Sequence, residues 1–206
     1  MNSEPTFQAE APAKKVQKQS ALATVFDYLE LFAWSIFAVM MLFTLVFRIC
    51  RVDGSSMENT LVNGENLLIW SVGYTPEQDD IVVFHLPEKE GQNTLVKRVI
   101  ATSGQTVKID FKNKEIFVDG VRYKDTHAVL KNVVGASVDR YTLFAEHNYD
   151  PDNKIFYATV PEGHVFVMGD NRNNSKDSRD YEIAFVDERC VLGKAILRIF
   201  PFTVYP

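Results

Sequence analysis

The sequence is poor in the residues that build disulfide frameworks and metal centres. Its 206 residues include only two cysteines and four histidines. Cys50 and Cys190 lie too far apart to form a C-x-x-C metal or redox motif. The histidines show neither the spacing of zinc ligands nor a pattern that supports a Ser-His-Asp triad. The sequence therefore predicts no metal and no cofactor.

Positive charge is also scarce. Lysine and arginine together number 22 against 27 aspartates and glutamates, which gives a net charge of -5. Since nucleic-acid-binding surfaces are normally basic, this balance argues against a nucleic-acid partner. The charged and hydrophobic fractions, 24% and 46%, are ordinary for a globular chain and exclude one that is wholly disordered or wholly embedded in a membrane.

One segment has no charge at all, from residue 31 to residue 47. As a helix it would cover about 26 Å, and extension back to residue 21 supplies enough length to cross a bilayer. A buried core helix would show a polar face at helical spacing, which is missing here. A cleavable signal peptide would need small residues after the apolar core, where Arg48-Ile49-Cys50-Arg51 follows instead. We predict an uncleaved transmembrane anchor over residues 21–47, with the lipid bilayer as a partner.

Charges on either side of this anchor indicate its orientation. Three lysines precede the anchor and two arginines follow it (Lys14, Lys15, Lys18; Arg48, Arg51). This bias favours a cytoplasmic N-terminus and an extracytoplasmic C-terminal domain in the cell membrane. Residues 1–20 are polar and have no apolar period, which predicts a disordered cytoplasmic tail.

Residues 48–206 are predicted to form one mainly β domain of antiparallel sheets. Short runs rich in β-branched and aromatic residues recur between turn signals, and no long helical period follows the anchor. Asp119-Gly120 is the strongest hairpin signal in the chain. Residues 124–153 lack clear alternation and are predicted to be a variable excursion. The predicted strands cover residues 66–72, 80–84, 94–101, 106–109, 115–118, 121–123, 154–160, 164–168 and 190–200.

Two of the segments that could carry chemistry contain a serine pair and a lysine. Gly54-Ser55-Ser56-Met57 follows the anchor, but serines in such turns are usually turn formers, and a nucleophilic serine needs a base nearby. Lys97 shares a strand face with apolar residues. The simpler interpretation, which the sequence alone favours, is a lysine that protects an edge strand from aggregation. A desolvated lysine could instead have its pKa lowered by about 3–5 units and act as a neutral base.

The third segment, from Gly169 to Arg179, is strongly polar and follows an apolar run. A solvated loop is the simplest interpretation. A calcium loop would place Asn171, Asn173, Ser175, Asp177 and Glu182 at ligand positions 1, 3, 5, 7 and 12. Position 1 is not aspartate, however, and position 6 is lysine instead of the glycine that the turn requires. The calcium interpretation is therefore rejected.

In this order, after an anchor, the segments resemble the type I signal peptidases. That family's first motif, Gly-x-Ser-Met-x-Pro-Thr-Leu, is matched by residues 54–61 except that Asn59 replaces proline. Residues 80–84 and 97–100 match the next two motifs, although the turn after the lysine motif differs. Residues 169–179 match the last motif almost completely.

The resemblance implies a catalytic dyad with two supporting elements. Ser56 would be the nucleophile, and Lys97 the general base that takes its proton. Ser175 would hold the lysine amine in line by a hydrogen bond. Asp177 and Arg179 would form an ion pair that orders the loop.

The resemblance also implies the substrate and how it binds. N-terminal signal peptides of exported preproteins would bind by strand addition and be cut after small residues in an Ala-x-Ala pattern. Gly54 and Met57 would contact the substrate. The backbone N–H of Ser56 would contribute to the oxyanion hole, while Gly54 stands where some members carry a second hydroxyl donor.

Two other classes of protein share some of these features. A self-cleaving repressor also uses a Ser/Lys pair, but it would need DNA-binding helices and no membrane span. A non-enzymatic β module on a stalk would explain the anchor and the strands. It would leave the coincidence of Ser56, Lys97 and Ser175 with the motifs to chance.

Overall fold

The computed structural model of the chain describes residues 21–86, 94–127, 149–150, 152–180, 182–199 and 203–204. The predicted tail and most of the predicted excursion at 124–153 therefore lie outside the described residues. The chain divides into two compact units, residues 1–42 and residues 43–206.

The predicted anchor is a single helix, α1, which runs from Ala21 to Val46 and has no buried residue. Its 26 residues correspond to about 39 Å, so its length and apolar composition are sufficient to cross a membrane. The helix ends one residue before the predicted end of the anchor, because Phe47 is already in the first strand.

All the strand pairs described after α1 are antiparallel, which confirms the predicted fold class. A short 3-10 helix at Glu188–Cys190 precedes β12. The strands are β1 (Phe47–Arg51), β2 (Asn66–Trp70), β3 (Ile81–His85), β4 (Thr94–Ala101), β5 (Thr106–Asp110), β6 (Glu115–Val118), β7 (Val121–Arg122), β8 (Tyr149–Asp150), β9 (Ile155–Thr159), β10 (His164–Met168), β11 (Val186–Asp187), β12 (Val191–Arg198) and β13 (Thr203–Val204).

The strands form two sheets within the described residues. The larger has the order β1-β2-β12-β3-β4-β10-β11, with β13 paired to β12, and the smaller has the order β7-β6-β5-β9-β8. The hairpin predicted at Asp119-Gly120 is confirmed between β6 and β7. Both turn residues have positive φ, 51° and 78°, as a two-residue type I′ turn requires.

Four strands were not predicted. β1 carries two arginines beside the anchor and lacks a clear period. It is a strand because β2 pairs with it along its whole length, from Phe47↔Trp70 to Arg51↔Asn66. The strands β8, β11 and β13 have two residues each, too few for any sequence period to show.

Strand β10 joins the two sheets through the core because it is buried on both faces. Phe166 and Met168 pack with the smaller sheet, whereas Val165 and Val167 pack with Val82 and neighbouring residues of the larger sheet. Burial on both faces explains why this strand is a continuous apolar run without polar alternation. The loop that follows it, from Gly169, is therefore held at a fixed point in the core.

The close approach of β12 to β2 leads to a stability prediction. A Cβ atom at Gly193 would lie 2.1 Å from the Trp70 carbonyl oxygen, and Gly193 has a φ of 150°. Gly193→Ala should therefore combine backbone strain with overpacking. We expect it to lower the free energy of unfolding by at least about 3 kcal/mol. Urea unfolding of the full chain in detergent measures this change.

Gly73→Ala is the matched control, because Gly73 also has positive φ but open space around its Cβ position. Backbone strain alone should cost about 1–2 kcal/mol there. If both variants lost the same amount of stability, the close contact with Trp70 would contribute nothing to the cost of Gly193→Ala.

Candidate active site

The segment that carries the two serines is fixed by a hydrogen-bonded turn. The backbone N–H of Leu61 donates to the Met57 carbonyl at 2.8 Å, and the two side chains pack into the core four residues apart. Asn59 has a φ of 79°, which proline cannot adopt, since its ring fixes φ near -65°. Proline could therefore not occupy this position without a change in the local backbone. This is the position at which the sequence departs from the family motif.

Lys97 is buried, with 2% of its surface exposed, and its amine reaches the serine segment. Its Nζ lies 2.7 Å from Ser56 Oγ and donates to the Val96 carbonyl at 3.0 Å. The interpretation of Lys97 as a protective edge lysine is wrong, because that role requires a side chain in solvent. Tertiary packing over β4 buries this side chain, and the periodicity of the sequence cannot reveal such packing.

Burial changes the acid–base properties of Lys97. Desolvation of the ammonium lowers the pKa of Lys97 from 10.5 to about 8. The negative charges of Asp177 and Asp170 oppose this effect, and the positive charge of Arg179 adds to it. The neutral form, which can accept a proton, is therefore more populated near neutral pH than in an exposed lysine, although the ammonium form still predominates below pH 8.

The loop from Gly169 to Arg179 is held by a buried ion pair. Arg179 donates to both carboxylate oxygens of Asp177, from Nε at 2.7 Å and from Nη2 at 2.8 Å. Asp177 also accepts from the backbone N–H of Gly169 at 2.9 Å. Although burial alone would raise the pKa of Asp177, the charge of Arg179 and these hydrogen bonds hold it below its ordinary value. Asp177 therefore stays ionised and ties the end of the loop to its beginning.

Ser175 lies near the dyad, but it does not make the hydrogen bond to Lys97 that the resemblance implies. Its Oγ is buried and has no hydrogen-bond partner among the residues that the structure describes. The hydroxyl is close enough to Asp177 to help lower the pKa of that carboxyl, but the two groups are not positioned for a good hydrogen bond. Ser175 nevertheless lines the same cavity as Ser56 and Lys97.

This cavity has a volume of about 270 Å³ and includes Gly54 in its wall. Met57 does not line it. That side chain is 1% exposed and packs in the core beneath the serine segment, which contradicts the expectation that it contacts substrate. The reason is the hydrogen-bonded turn, which directs the Met57 side chain into the core while the adjacent Ser56 faces the cavity. The cavity lining is Asp53, Gly54, Ser55, Ser56, Leu95, Lys97, Asn174, Ser175 and Lys176.

A second buried ion pair was missed by the sequence reasoning. Arg98 donates to both oxygens of Asp170, at 2.9 and 2.7 Å, and Thr60 donates to the same carboxylate. The three residues join β4, the serine segment and the start of the loop. Their positions in the sequence could have indicated this ion pair, because they lie next to predicted site residues. Arg98, for example, directly follows Lys97.

Two asparagines in the loop were also missed. The backbone N–H of Asn171 donates to the Ser56 carbonyl at 2.9 Å, and its side chain donates to the Ser55 carbonyl at 3.0 Å. Asn174 donates from Nδ2 to Ser55 Oγ at 2.7 Å. These contacts fix the loop against the backbone on both sides of the Ser55–Ser56 peptide.

The family of signal peptidases, peptidase S26, matches residues 25–200 of the chain. The chain belongs to this family. It is therefore a serine endopeptidase of the hydrolase class, and the resemblance seen in its motifs is confirmed.

Two sequence relatives agree with this assignment, and one solved structure shows a partial likeness. A probable signal peptidase I-1 from Synechocystis sp. is 34% identical over 159 residues, 73% of this chain and 69% of the relative. Signal peptidase IB from Staphylococcus aureus is 29% identical over 189 residues, 85% of this chain and 93% of the relative. A crystal structure of a signal peptidase I from Enterococcus faecalis aligns with a TM-score of 0.38 at 27% identity, covering 59% of this chain and 97% of that one.

Gly169 allows a test of how tightly the loop packs on the serine segment. A Cβ atom there would lie 2.2 Å from Ser175 Oγ and 2.5 Å from the Ser56 carbonyl oxygen. Gly169→Ala should therefore displace Ser56, and we expect peptidase activity to fall by about a hundredfold or more. Initial cleavage rates per folded molecule provide the measurement.

Gly104→Ala serves as the control, because Gly104 has positive φ and open space around its Cβ position. It should lose some stability and keep its activity. A fully active Gly169→Ala enzyme would show that the serine segment tolerates displacement by the loop.

Proposed function

We propose that this chain is a membrane-anchored endopeptidase that removes N-terminal signal peptides from exported preproteins. It cuts after small residues in Ala-x-Ala sites, with Ser56 as nucleophile and neutral Lys97 as general base. The observation that carries the proposal is the 2.7 Å contact between Lys97 Nζ and Ser56 Oγ at a buried lysine. Membership of the signal peptidase family supports the substrate class.

The reaction follows from the protonation state of Lys97. In its neutral form the amine accepts the Ser56 hydroxyl proton as Oγ attacks the carbonyl carbon of the scissile bond. The backbone N–H of Ser56 donates to the developing oxyanion. The lysine then protonates the leaving amine, and an acyl-enzyme forms. In the second half Lys97 takes a proton from water as the water attacks the ester carbonyl carbon. It then gives that proton to Ser56 Oγ, which leaves as the free hydroxyl, and the acyl group departs as a carboxylic acid.

Ser175 and the ion pair of the loop support this reaction. Ser175 is assigned the role of orienting the lysine amine, since its buried hydroxyl lines the same cavity and has no hydrogen-bond partner of its own. Asp177 and Arg179 hold the loop that carries it. No step requires a metal or a cofactor.

Strand β4 offers a place for the substrate backbone. Strand β3 pairs with β4 over residues 94–98, whereas β10 pairs with β4 only from Arg98 onward. Among the described strands, none pairs with the other edge of residues 94–97. An extended peptide added there would run past Leu95 and Lys97 toward Ser56. The cavity that holds Ser56 and Lys97 lies beside this edge and is also lined by Leu95.

The helix α1 is the proposed anchor in the cell membrane. Its length and composition are sufficient for one span, and the flanking charges favour a cytoplasmic N-terminus. The catalytic domain would then be extracytoplasmic, on the side where preproteins emerge.

Substitution of each of the adjacent serines identifies the nucleophile. Ser56→Ala should abolish cleavage of a preprotein with an Ala-x-Ala site, because it removes the atom that forms the acyl-enzyme. Ser55→Ala should retain much of the activity, because its hydroxyl bonds Asn174 and not the lysine. Cleavage is followed by gel electrophoresis with purified full-length protein in detergent. Retained activity in Ser56→Ala and loss in Ser55→Ala would overturn the assignment.

Replacement of Lys97 distinguishes a base from a simple positive charge. Arginine keeps the charge but cannot be deprotonated, so Lys97→Arg should be about as inactive as Lys97→Ala. The wild-type kcat/KM should rise with pH and level off above an apparent pKa of about 8, because deprotonation of Lys97 creates the active form. An active Lys97→Arg variant, or a rate that falls through that pH range, would refute the dyad.

A further inference from the structure

The described core of the peptidase unit contains three buried arginines, each with a carboxylate partner. Arg98 pairs with Asp170, and Arg179 pairs with Asp177. Both of these carboxylates belong to the loop from Gly169 to Arg179. The third arginine, Arg172, lies in the same loop but pairs with a carboxylate outside it, Asp125.

Arg172 is completely buried and contacts the loop at two further points. Its Nε donates to the Gly169 carbonyl at 2.9 Å, and its own carbonyl accepts from Nη2 of Arg179 at 2.9 Å. Nη1 lies 2.5 Å from the Asp125 carboxylate, whose side chain is 9% exposed. A buried guanidinium without a counter-charge is strongly unfavourable, so Asp125 is what allows Arg172 to remain in this position.

The contacts of Arg172 lead directly to the reacting serine. Gly169, which Arg172 holds through its carbonyl, packs against the Ser56 carbonyl so closely that even a Cβ atom has no room. Asn171, the residue before Arg172, donates its backbone N–H to the same carbonyl. A shift of Arg172 therefore moves both neighbours that fix the Ser56 backbone.

Asp125 lies on the segment of chain that leaves the smaller sheet. It follows β7 by three residues, at the start of the segment predicted as a variable excursion. Two residues earlier, the Tyr123 hydroxyl donates to Asp79, just before β3. The chain leaving the smaller sheet is thus held at two points, one on the larger sheet and one on the catalytic loop.

We propose that Asp125 is a positioning residue for the peptidase reaction: through its buried ion pair with Arg172, the smaller sheet holds the catalytic loop against Ser56. Asp125 does not touch the reacting atoms, and its effect is transmitted by Gly169 and Asn171. The inference rests on the proposed function, since it takes Ser56 as the nucleophile.

Steady-state kinetics of Asp125→Asn in the full-length enzyme test this role. Because the dyad geometry is disturbed while the strand-binding edge of β4 is not, kcat should fall at least about tenfold with KM changed by less than about threefold. Glu115→Gln is the matched control, because it also breaks an ion pair to an arginine from the smaller sheet. Its partner Arg122 is 68% exposed, so kcat should stay at the wild-type value.

Several outcomes would overturn the proposal. They are a folded Asp125→Asn enzyme with wild-type kcat, a change confined to KM, or an equal loss in Glu115→Gln. If Asp125→Asn does not fold, Asp125→Glu decides the question. It keeps the charge but displaces the carboxylate by one methylene, so it should show lowered kcat at wild-type KM, and wild-type kcat would contradict the proposal.

A double-mutant cycle tests whether the effect passes through Arg172. Asp125→Asn should cause little further loss of kcat when added to Arg172→Gln, because the connection is already broken. A further tenfold loss would overturn the proposed route. Ser56→Ala separates this inference from the proposed function. If Ser56→Ala is inactive while Asp125→Asn is fully active, only the role of Asp125 is refuted, whereas an active Ser56→Ala would refute the function itself.

Discussion

Burial of a single lysine amine against a serine hydroxyl is the constraint on which the site depends. A charged ammonium loses its hydration inside a protein, so burial stabilises the neutral amine relative to the charged form. In the proposed mechanism Lys97 can act as a base only because β4 is covered where the amine meets Ser56. An enzyme that obtains its base in this way needs no histidine, and its chemistry is inseparable from its packing.

Three buried ion pairs hold the segments around Ser56 and Lys97. Breaking any one of them would leave an uncompensated charge in the core, so each pair fixes the relative positions of the segments it joins. Arg98 joins β4 to the loop through Asp170, and Asp177 with Arg179 closes the loop on itself. Arg172 joins the loop to the smaller sheet through Asp125. Ion pairs of this kind contribute specificity of position more than net stability.

Strand β10 links the packing of the two sheets to the position of the loop that begins at Gly169. Strand β10 is buried on both faces and delivers the chain to Gly169, where a close approach to Ser56 leaves no room for a side chain. The loop that follows is polar in sequence yet largely buried in the fold. Many of its buried polar groups bond one another or the serine segment, while the buried Ser175 hydroxyl has no hydrogen-bond partner among the described residues.

The sequence by itself determined the local features of this protein. An uncharged run long enough for a helix, alternating β-branched residues and an Asp-Gly turn are readable because each depends on neighbours along the chain. The motifs around Ser56, Lys97 and Gly169 identified the family for the same reason. Only the tertiary structure decided that Lys97 is buried and not an edge lysine, that Met57 belongs to the core, and that Asp125 pairs with Arg172. These facts depend on which distant residues meet in space, and no period along the chain records that.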